Sequence, residues 1–519
     1  MNLLKAITTV GGYTMLSRVF GFIRDILIAS FLGAGTVADA FFVAFRFPNL
    51  FRRLFAEGAF AAAFVPIFSG QIETEGKEAA RAFAEQAFSV LFLILAVFVA
   101  LIEVVMPWAM YVLAPGFDAV AGKMELATEL SRIAFPYLLF ISLVSLQSGV
   151  LNALGRFAAA AAAPVLLNLV LIAALLGFAE RAATPGHALA WGVSAAGVVQ
   201  FLWLVYHCRR DGMPIRFRRP RLSLSENVRL LGRRILPVVF GASLYQINLL
   251  IGTILASLVA DGAVSYLYYA DRVTQLPLGV VGVAVGTALL PTLSRQLAAG
   301  DEQAAMASQN RGLEFALLLT VPAAAALAVI ALPIVTVLFE RGAFGPAETL
   351  ATSQALIAYA TGLPAYVLIR VLTPGFFARE DTKTPVKIAA WGMLANIVLN
   401  LIFMQFWGHV GIALASSIAA WLNAGGLFVM LRRRGHLTVD ARLAARFPRM
   451  VFASLGMAAA LIGGERLVAP DCAGTCAAQI PALIVLVAGG LGVFGLLAVV
   501  FGAASWADIK AGLKRRGDA

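Results

Sequence analysis

Long apolar runs separated by short polar segments extend through most of the sequence. A membrane-spanning helix needs about 20 mostly apolar residues, and fourteen runs meet this requirement. They lie at residues 5–32, 36–68, 82–113, 127–152, 157–178, 187–208, 233–258, 264–294, 312–338, 350–378, 385–406, 411–431, 448–468 and 479–505. The segments between them are too short to form a soluble catalytic domain. The pattern predicts an all-α polytopic membrane protein with 14 transmembrane helices.

The composition agrees with this prediction. Hydrophobic residues make up 61% of the chain and charged residues 13%, whereas a soluble domain is about 45–50% apolar. The first apolar run is not expected to be a cleavable signal peptide. It contains Arg18, Arg24 and Asp25, and it lacks a small-residue cleavage site.

Basic residues are concentrated in alternate connections between the predicted spans, most densely at residues 209–234. Cytoplasmic loops of membrane proteins carry an excess of Lys and Arg, so the alternation predicts that both termini are cytoplasmic. The net charge of +12 is then explained by topology and by attraction to anionic lipid headgroups. A nucleic-acid partner is not expected.

Two internal matches indicate a duplication. Residues 64–71 resemble residues 289–296, 225 positions later. The Phe-Pro pair at 135–136 together with Asn168 matches the Leu-Pro pair at 363–364 together with Asn396, 228 positions later. Each match displaces the sequence by six predicted spans, an even number that preserves the orientation in the membrane. The repeats should therefore be parallel, as in some alternating-access transporters. The predicted divisions are an N-lobe at 1–208 (spans 1–6), a cytoplasmic linker at 209–232, a C-lobe at 233–434 (spans 7–12) and a C-terminal segment with spans 13 and 14 at 435–519.

The first, second and eighth apolar runs contain six arginines but only four acidic residues. A charge at the membrane centre costs about 2.5–3.5 kcal/mol, so the surplus predicts a cation-lined cavity for an anion. The guanidinium fork fits two phosphate oxygens at once. The arginines predicted to bind a pyrophosphate are Arg18, Arg24 and Arg52 from one lobe and Arg272 from the other. The predicted supporting residues are Ser17, Asp25, Asp39, Arg46, Arg53, Glu57 and Asp271.

Several supporting residues have a structural alternative. Arg46 is predicted to pair with Asp39, which precedes it by seven residues on one helix. Arg53 is expected either to pair with Glu57 or to reach the cytoplasmic interface. Asp25 is expected to orient one of the two arginines of the first span.

Other function classes fit the sequence less well. A polyprenyl-phosphate transferase needs acidic residues to hold a divalent metal, and no aspartate-rich loop is present. An exporter of a drug or of another polyprenyl-linked saccharide would not require this arginine set. No catalytic residue, metal site or cofactor is expected. Cys472 and Cys476, on a predicted outer connection, form either a disulfide or two free thiols.

Several motifs in the chain resemble those of the MurJ (MviN) lipid II flippases of the bacterial cytoplasmic membrane. They are SRVFGFIRD at 17–25, ADAFFVAFR at 38–46, PNLFRRLFAEGAF at 48–60, APGF at 114–117, YADR at 269–272 and DTKTPVK at 381–387. The resemblance extends from residue 1 to about residue 430, and the last two spans resemble the family in hydropathy alone.

The resemblance implies a specific fold and activity. The fold would be that of the MOP transporter superfamily, with two six-helix lobes and two C-terminal helices that form a groove for the polyprenyl tail. The function would be movement of lipid II to the outer leaflet by alternating access, with Arg18, Arg24, Arg52 and Arg272 on the diphosphate. The expected partners are lipid II, phospholipids and cell-wall synthesis proteins, and the expected state is a monomer. Some family members have a sodium site with carboxylates in spans 7 and 11, which are absent here, so the coupling ion stays open.

Overall fold

The computed structural model describes residues 3–52, 59–218, 225–468 and 476–504. All regular secondary structure in these ranges is helical. The helices are α1 (Leu3–Leu32), α2 (Thr36–Phe51), α3 (Ala59–Leu113), a 3₁₀ helix (Pro115–Ala119), α4 (Lys123–Ala134), α5 (Tyr137–Ala153), α6 (Phe157–Phe178), α7 (Pro185–Arg210), α8 (Glu226–Ser257), α9 (Ala263–Ala298), α10 (Glu302–Val329), α11 (Ala331–Phe339), α12 (Pro346–Phe377), α13 (Lys383–Arg433), α14 (Ala441–Val468) and α15 (Cys476–Val500). The predicted all-α class is confirmed.

Nine helical segments within the described ranges are long and apolar enough to cross a membrane. Two of them, Ala63–Leu113 and Lys383–Arg433, are 51 residues long. Non-helical backbone angles at Gly76 and Gly408 divide these long helices, and α13 thereby covers two of the predicted spans. The protein is a multi-pass membrane protein, while the count of fourteen spans stays a prediction.

The chain forms two compact units. The first unit contains residues 1–265 together with Arg341–Phe344, and the second contains Tyr266–Glu340 together with residues 345–519. Stacked phenylalanines, including Phe64, Phe68 and Phe83, occupy a core of the first unit. Mostly aliphatic side chains of α9, α10, α12, α13, α14 and α15 form a core of the second unit. The lobe boundaries inferred from the repeat stay a prediction.

The segment Arg341–Phe344 is held against the end of α1. The backbone N–H of Ala343 donates to the carbonyl of Ser30 at 2.8 Å. Gly342 has a φ of +59°, and a Cβ atom there would lie 2.3 Å from the Ser30 carbonyl oxygen. Gly33 has a φ of +65°, and its Cβ would lie 2.5 Å from the Ala343 carbonyl oxygen. The two glycines therefore permit a backbone approach that a side chain would prevent.

We expect Gly342→Ala to lower the free energy of unfolding by about 1–3 kcal/mol more than a matched control, because an inserted methyl group forces the packed backbones apart. The control is Gly155→Ala, since Gly155 has a φ of +73° with no atom within 4 Å of the added Cβ. Both substitutions carry the same left-handed backbone penalty. Thermal unfolding in detergent measures the difference, and equal losses would contradict the close approach.

Candidate substrate-binding site

Arg24 lies at the centre of a polar network that joins α1 and α6. Its side chain is buried, and its Nε and Nη2 atoms donate to Oδ1 of Asp25 at 3.1 and 2.7 Å. Its Nη1 atom donates to Oδ1 of Asn168 at 2.8 Å. Asn168 donates from Nδ2 to the backbone carbonyl of Ser17 at 2.9 Å and approaches the Ser17 hydroxyl at 3.4 Å. Ser17, Arg24 and Asp25, all predicted site residues, are thus brought together.

Arg18 lies one residue beyond Ser17 on the same helix, and its side chain is exposed. No hydrogen bond or ion pair to Arg18 is found among the described residues. The structure therefore shows Asp25 paired with Arg24, which is one of the two predicted alternatives. Within the described ranges, the positive charge of Arg18 therefore has no acidic partner.

Arg46 of α2 and Arg52, which directly follows α2, make separate contacts. Arg46 donates to the hydroxyl of Thr253 on α8, and both residues border a small cavity that is otherwise lined by apolar side chains. Arg52 donates from Nε to Oδ1 of Asn49 at 2.9 Å, one helical turn earlier. Arg53 and Glu57 lie outside the described residues, so their predicted pairing stays a prediction.

The predicted pairing of Arg46 with Asp39 is wrong. Asp39 is fully buried, and its carboxylate accepts hydrogen bonds from Lys123 Nζ at 2.8 Å and from the backbone N–H groups of Gly262 and Ser265, both at 2.8 Å. The Ser265 hydroxyl donates to it as well, at 2.6 Å. Seven residues on one helix correspond to a rise of about 10.5 Å, which is too far for a direct ion pair.

Lys123 completes this second network, although it lies between two predicted spans and is not among the predicted site residues. Its side chain is 1% exposed. Besides Asp39, its Nζ contacts Oδ1 of Asp261 at 2.5 Å and lies 4.2 Å from the centre of the Phe117 ring. Burial alone would raise the pKa of Asp261, but hydrogen bonds from Lys123 and Thr36 and the charge of Lys123 lower it below its usual value. The Lys123 ammonium group thus donates hydrogen bonds to two carboxylates.

Arg272 belongs to the second unit. It lies on α9, and its guanidinium carbon is 4.7 Å from the centre of the Tyr268 ring, in a cation–π contact. The neighbouring Asp271 accepts a hydrogen bond from the side-chain amide of Gln275 one turn later. Arg272 is half-buried, and the tyrosine ring restricts the orientation of its planar guanidinium group.

The amide residues of α13 do not match a carboxylate sodium site. Asn400 donates to Oδ1 of Asn396 at 2.5 Å, and Asn396 approaches the Ser416 hydroxyl at 3.4 Å. These groups are uncharged. Over the described ranges, no cluster of three or more His, Cys, Asp or Glu residues could hold a metal. Cys472 and the side chain of Cys476 lie outside the description, while Cys208 is a buried free thiol.

Comparison with known proteins identifies the family of this chain. Residues 28–474 match the family model described as lipid II flippase MurJ. This chain belongs to the MurJ family. The probable lipid II flippase MurJ of Rhizobium meliloti (strain 1021) is 46% identical over 99% of this chain and 97% of its own length. The lipid II flippase MurJ of Burkholderia cenocepacia is 40% identical over 88% and 89% of the two chains.

Solved structures agree with membership of the MurJ family. A lipid II flippase MurJ in an inward closed conformation matches with a TM-score of 0.78 and 26% identity, covering 95% of this chain and 98% of that one. An inward-facing multidrug resistance transporter of the MATE family, within the MOP superfamily, matches with a TM-score of 0.65 at 17% identity, over 83% and 98%. The second similarity shows the fold alone. The MOP-type fold implied by the sequence motifs is confirmed.

Within this MurJ-family chain, the two networks of the first unit contain residues that sequence reasoning missed as functional candidates. Asn168 was notable only as a repeat marker, and Lys123 was not identified at all. Thr253, the partner of Arg46, carried no signal of its own. A buried amide inside an apolar helix is the one feature that could have pointed to Asn168, because such a group needs a partner.

Proposed function

We propose that this protein moves lipid II, the polyprenyl-linked peptidoglycan precursor, from the inner to the outer leaflet of the bacterial inner membrane by alternating access. Membership of the MurJ family supports the substrate. The observation that carries the proposal is the buried Arg24, held inside an apolar helix by Asp25 and Asn168. A membrane protein retains an intramembrane charge where it serves transport or binding.

The residues proposed to bind the diphosphate are Arg18, Arg24, Arg52 and Arg272. Arginine binds phosphate oxygens in pairs through its planar fork. The hydrogen bonds to Arg24 and Arg52 and the tyrosine contact of Arg272 support this assignment, since each restricts a guanidinium group before substrate arrives. Ser17, Asp25, Asp39, Arg46, Arg53, Glu57 and Asp271 are the proposed supporting residues.

The membrane potential is the proposed driving force. A diphosphate carries about two negative charges, and each is worth about 2.3 kcal/mol per 100 mV across the membrane. A potential that is negative inside therefore favours outward movement of the loaded headgroup. The same field favours the inward-facing state of the empty, positively charged site. The apolar tail can remain in the lipid phase throughout.

The proposed topology has both termini in the cytoplasm, as the distribution of basic residues indicates. The proposed functional state is a monomer that meets phospholipids, lipid II and the cell-wall synthesis machinery. Depleting the protein in cells should accumulate lipid II in the inner leaflet. An unchanged leaflet distribution after depletion would contradict the proposed function.

We expect translocation of lipid II in proteoliposomes to accelerate when a potassium diffusion potential, set with valinomycin, is negative on the side from which lipid II departs. Reversing the potential should slow it. Equal rates of lipid II translocation under both polarities would contradict the membrane potential as the driving force. Absence of lipid II translocation by folded protein under either polarity would remove the proposed substrate as well.

A further inference from the structure

Asn168 connects Arg24 of α1 to α6 through a direct hydrogen bond. It is 5% exposed and lies in the middle of α6, a helix of otherwise apolar residues. Both ends of its amide are used: the oxygen accepts from Arg24 and the nitrogen donates to the Ser17 carbonyl. A buried amide is stable only when its groups are hydrogen-bonded.

The packing of α1 against α6 makes room for this amide. Gly21 lies between Ser17 and Arg24 on the helix, and a Cβ atom there would lie 3.4 Å from Asn168 Nδ2. The absence of a side chain at Gly21 lets the amide reach across to α1. Because Ser17 and Arg24 are seven residues apart, they share one face of α1, and Asn168 contacts both.

The repeat provides an internal comparison. Asn396 occupies the matching position in the second half of the chain, 228 residues later. Its side chain donates to Ser416 and accepts from Asn400. All of these groups are neutral, whereas Asn168 holds a guanidinium group. The amide of the first copy therefore has a charged partner, whereas its counterpart has neutral partners only.

We propose that Asn168 is a positioning residue for substrate binding, which fixes the guanidinium plane of Arg24 without cancelling its charge. This inference rests on the proposed function. Asp25 and Asn168 hold different nitrogen atoms of the same guanidinium group. Two carboxylates would hold it equally well but would make the local charge negative and repel a diphosphate. A neutral amide orients the group and leaves the pair with Asp25 electrically balanced.

Substitutions of Asn168 can distinguish a role in orienting Arg24 from a role in helix packing alone. Asn168→Asp keeps the size and the oxygen that accepts from Arg24, but it adds a negative charge and loses the nitrogen that donates to the Ser17 carbonyl. Asn168→Ala removes the oxygen and adds no charge. The matched control is Gln200→Leu, because Gln200 is another buried amide, and it donates to the backbone carbonyl of Ala163 on α6 at 2.6 Å.

Binding of undecaprenyl pyrophosphate to the full-length protein in nanodiscs is the measurement, with undecaprenyl monophosphate as the comparison ligand. We expect Asn168→Ala to weaken pyrophosphate binding about tenfold, the effect of one charge-assisted hydrogen bond. Asn168→Asp should weaken it further, while its melting temperature stays at or above that of Asn168→Ala. Gln200→Leu should bind within about twofold of wild type, since its amide contacts no arginine.

If Asn168 had only a structural role, Asn168→Asp should bind undecaprenyl pyrophosphate more tightly than Asn168→Ala, because aspartate fills the space that alanine leaves empty. The inference would be overturned if the Asn168→Asp variant bound undecaprenyl pyrophosphate as tightly as wild type, or more tightly than the Asn168→Ala variant. If the wild-type protein translocates lipid II and Asn168→Asp translocates it equally well, the positioning role alone fails. If the wild-type protein neither binds nor translocates lipid II, the proposed function fails.

Discussion

Replacing Arg24 with alanine is expected to reduce lipid II translocation roughly a hundredfold or more, the effect of losing two charge-assisted hydrogen bonds to a phosphate. The substitution removes the proposed diphosphate ligand and leaves Asp25 buried without the partner that lies 2.7 Å away. An uncompensated carboxylate is also unfavourable for the fold, so lost activity by itself does not identify a ligand. Initial rates in proteoliposomes must therefore be compared with thermal unfolding of the same preparations.

Two companion variants separate binding from folding. In the double variant Arg24→Ala with Asp25→Asn, the stranded charge is removed, so stability should recover while translocation stays low. In Arg24→Lys the positive charge remains but the planar fork is lost, and an intermediate rate is expected because lysine binds phosphate as a point charge. Recovery of translocation in the double variant would show that Arg24 serves only to neutralise Asp25.

Replacing Lys123 with methionine is expected to lower the free energy of unfolding by about 3–5 kcal/mol, because it strands a buried carboxylate. Asp39 is 0% exposed and would keep its hydrogen bonds from Gly262 and Ser265 but lose its positive partner. Asp261 would lose the same partner, although its side chain is 41% exposed and can be hydrated. The loss should therefore come mainly from Asp39.

The control for Lys123 is Lys77→Met, because Lys77 is exposed and its substitution should change stability by no more than about 0.5 kcal/mol. Adding Asp39→Asn to Lys123→Met should restore part of the lost stability, since the remaining group is neutral. Thermal unfolding in detergent yields the coupling between the two positions. Additive effects of the two single substitutions would contradict a direct buried pair.

Local patterns were sufficient to predict the helices but not the partners of the charged residues. Apolar length alone identified the helical class, because a span must satisfy its backbone internally. The pairing of Asp39 depended on Lys123 and Ser265, which lie 84 and 226 residues away in sequence. Nearest-neighbour reasoning on one helix chose Arg46 instead. No periodicity within a single span encodes such distant contacts.

The arginine set illustrates the same limit in the candidate site. Arg18, Arg24, Arg52 and Arg272 stand out because each interrupts an apolar run or its end. Which of them is neutralised within the protein does not follow from spacing, since Asp25 is one residue from Arg24 and seven from Arg18. The structure pairs Asp25 with Arg24, and a residue from α6 completes the arrangement.

The adjacency of Arg24 and Asp25 also bears on how the protein is made. The first span is synthesised long before Asn168, which lies 144 residues further along. An isolated charge at the centre of an inserting helix costs about 2.5–3.5 kcal/mol, but an arginine that leaves the translocon with its counterion on the next residue presents a nearly neutral pair to the lipid. Helix α1 can thus enter the bilayer during biogenesis without waiting for α6, and assembly with α6 adds the amide contact afterwards.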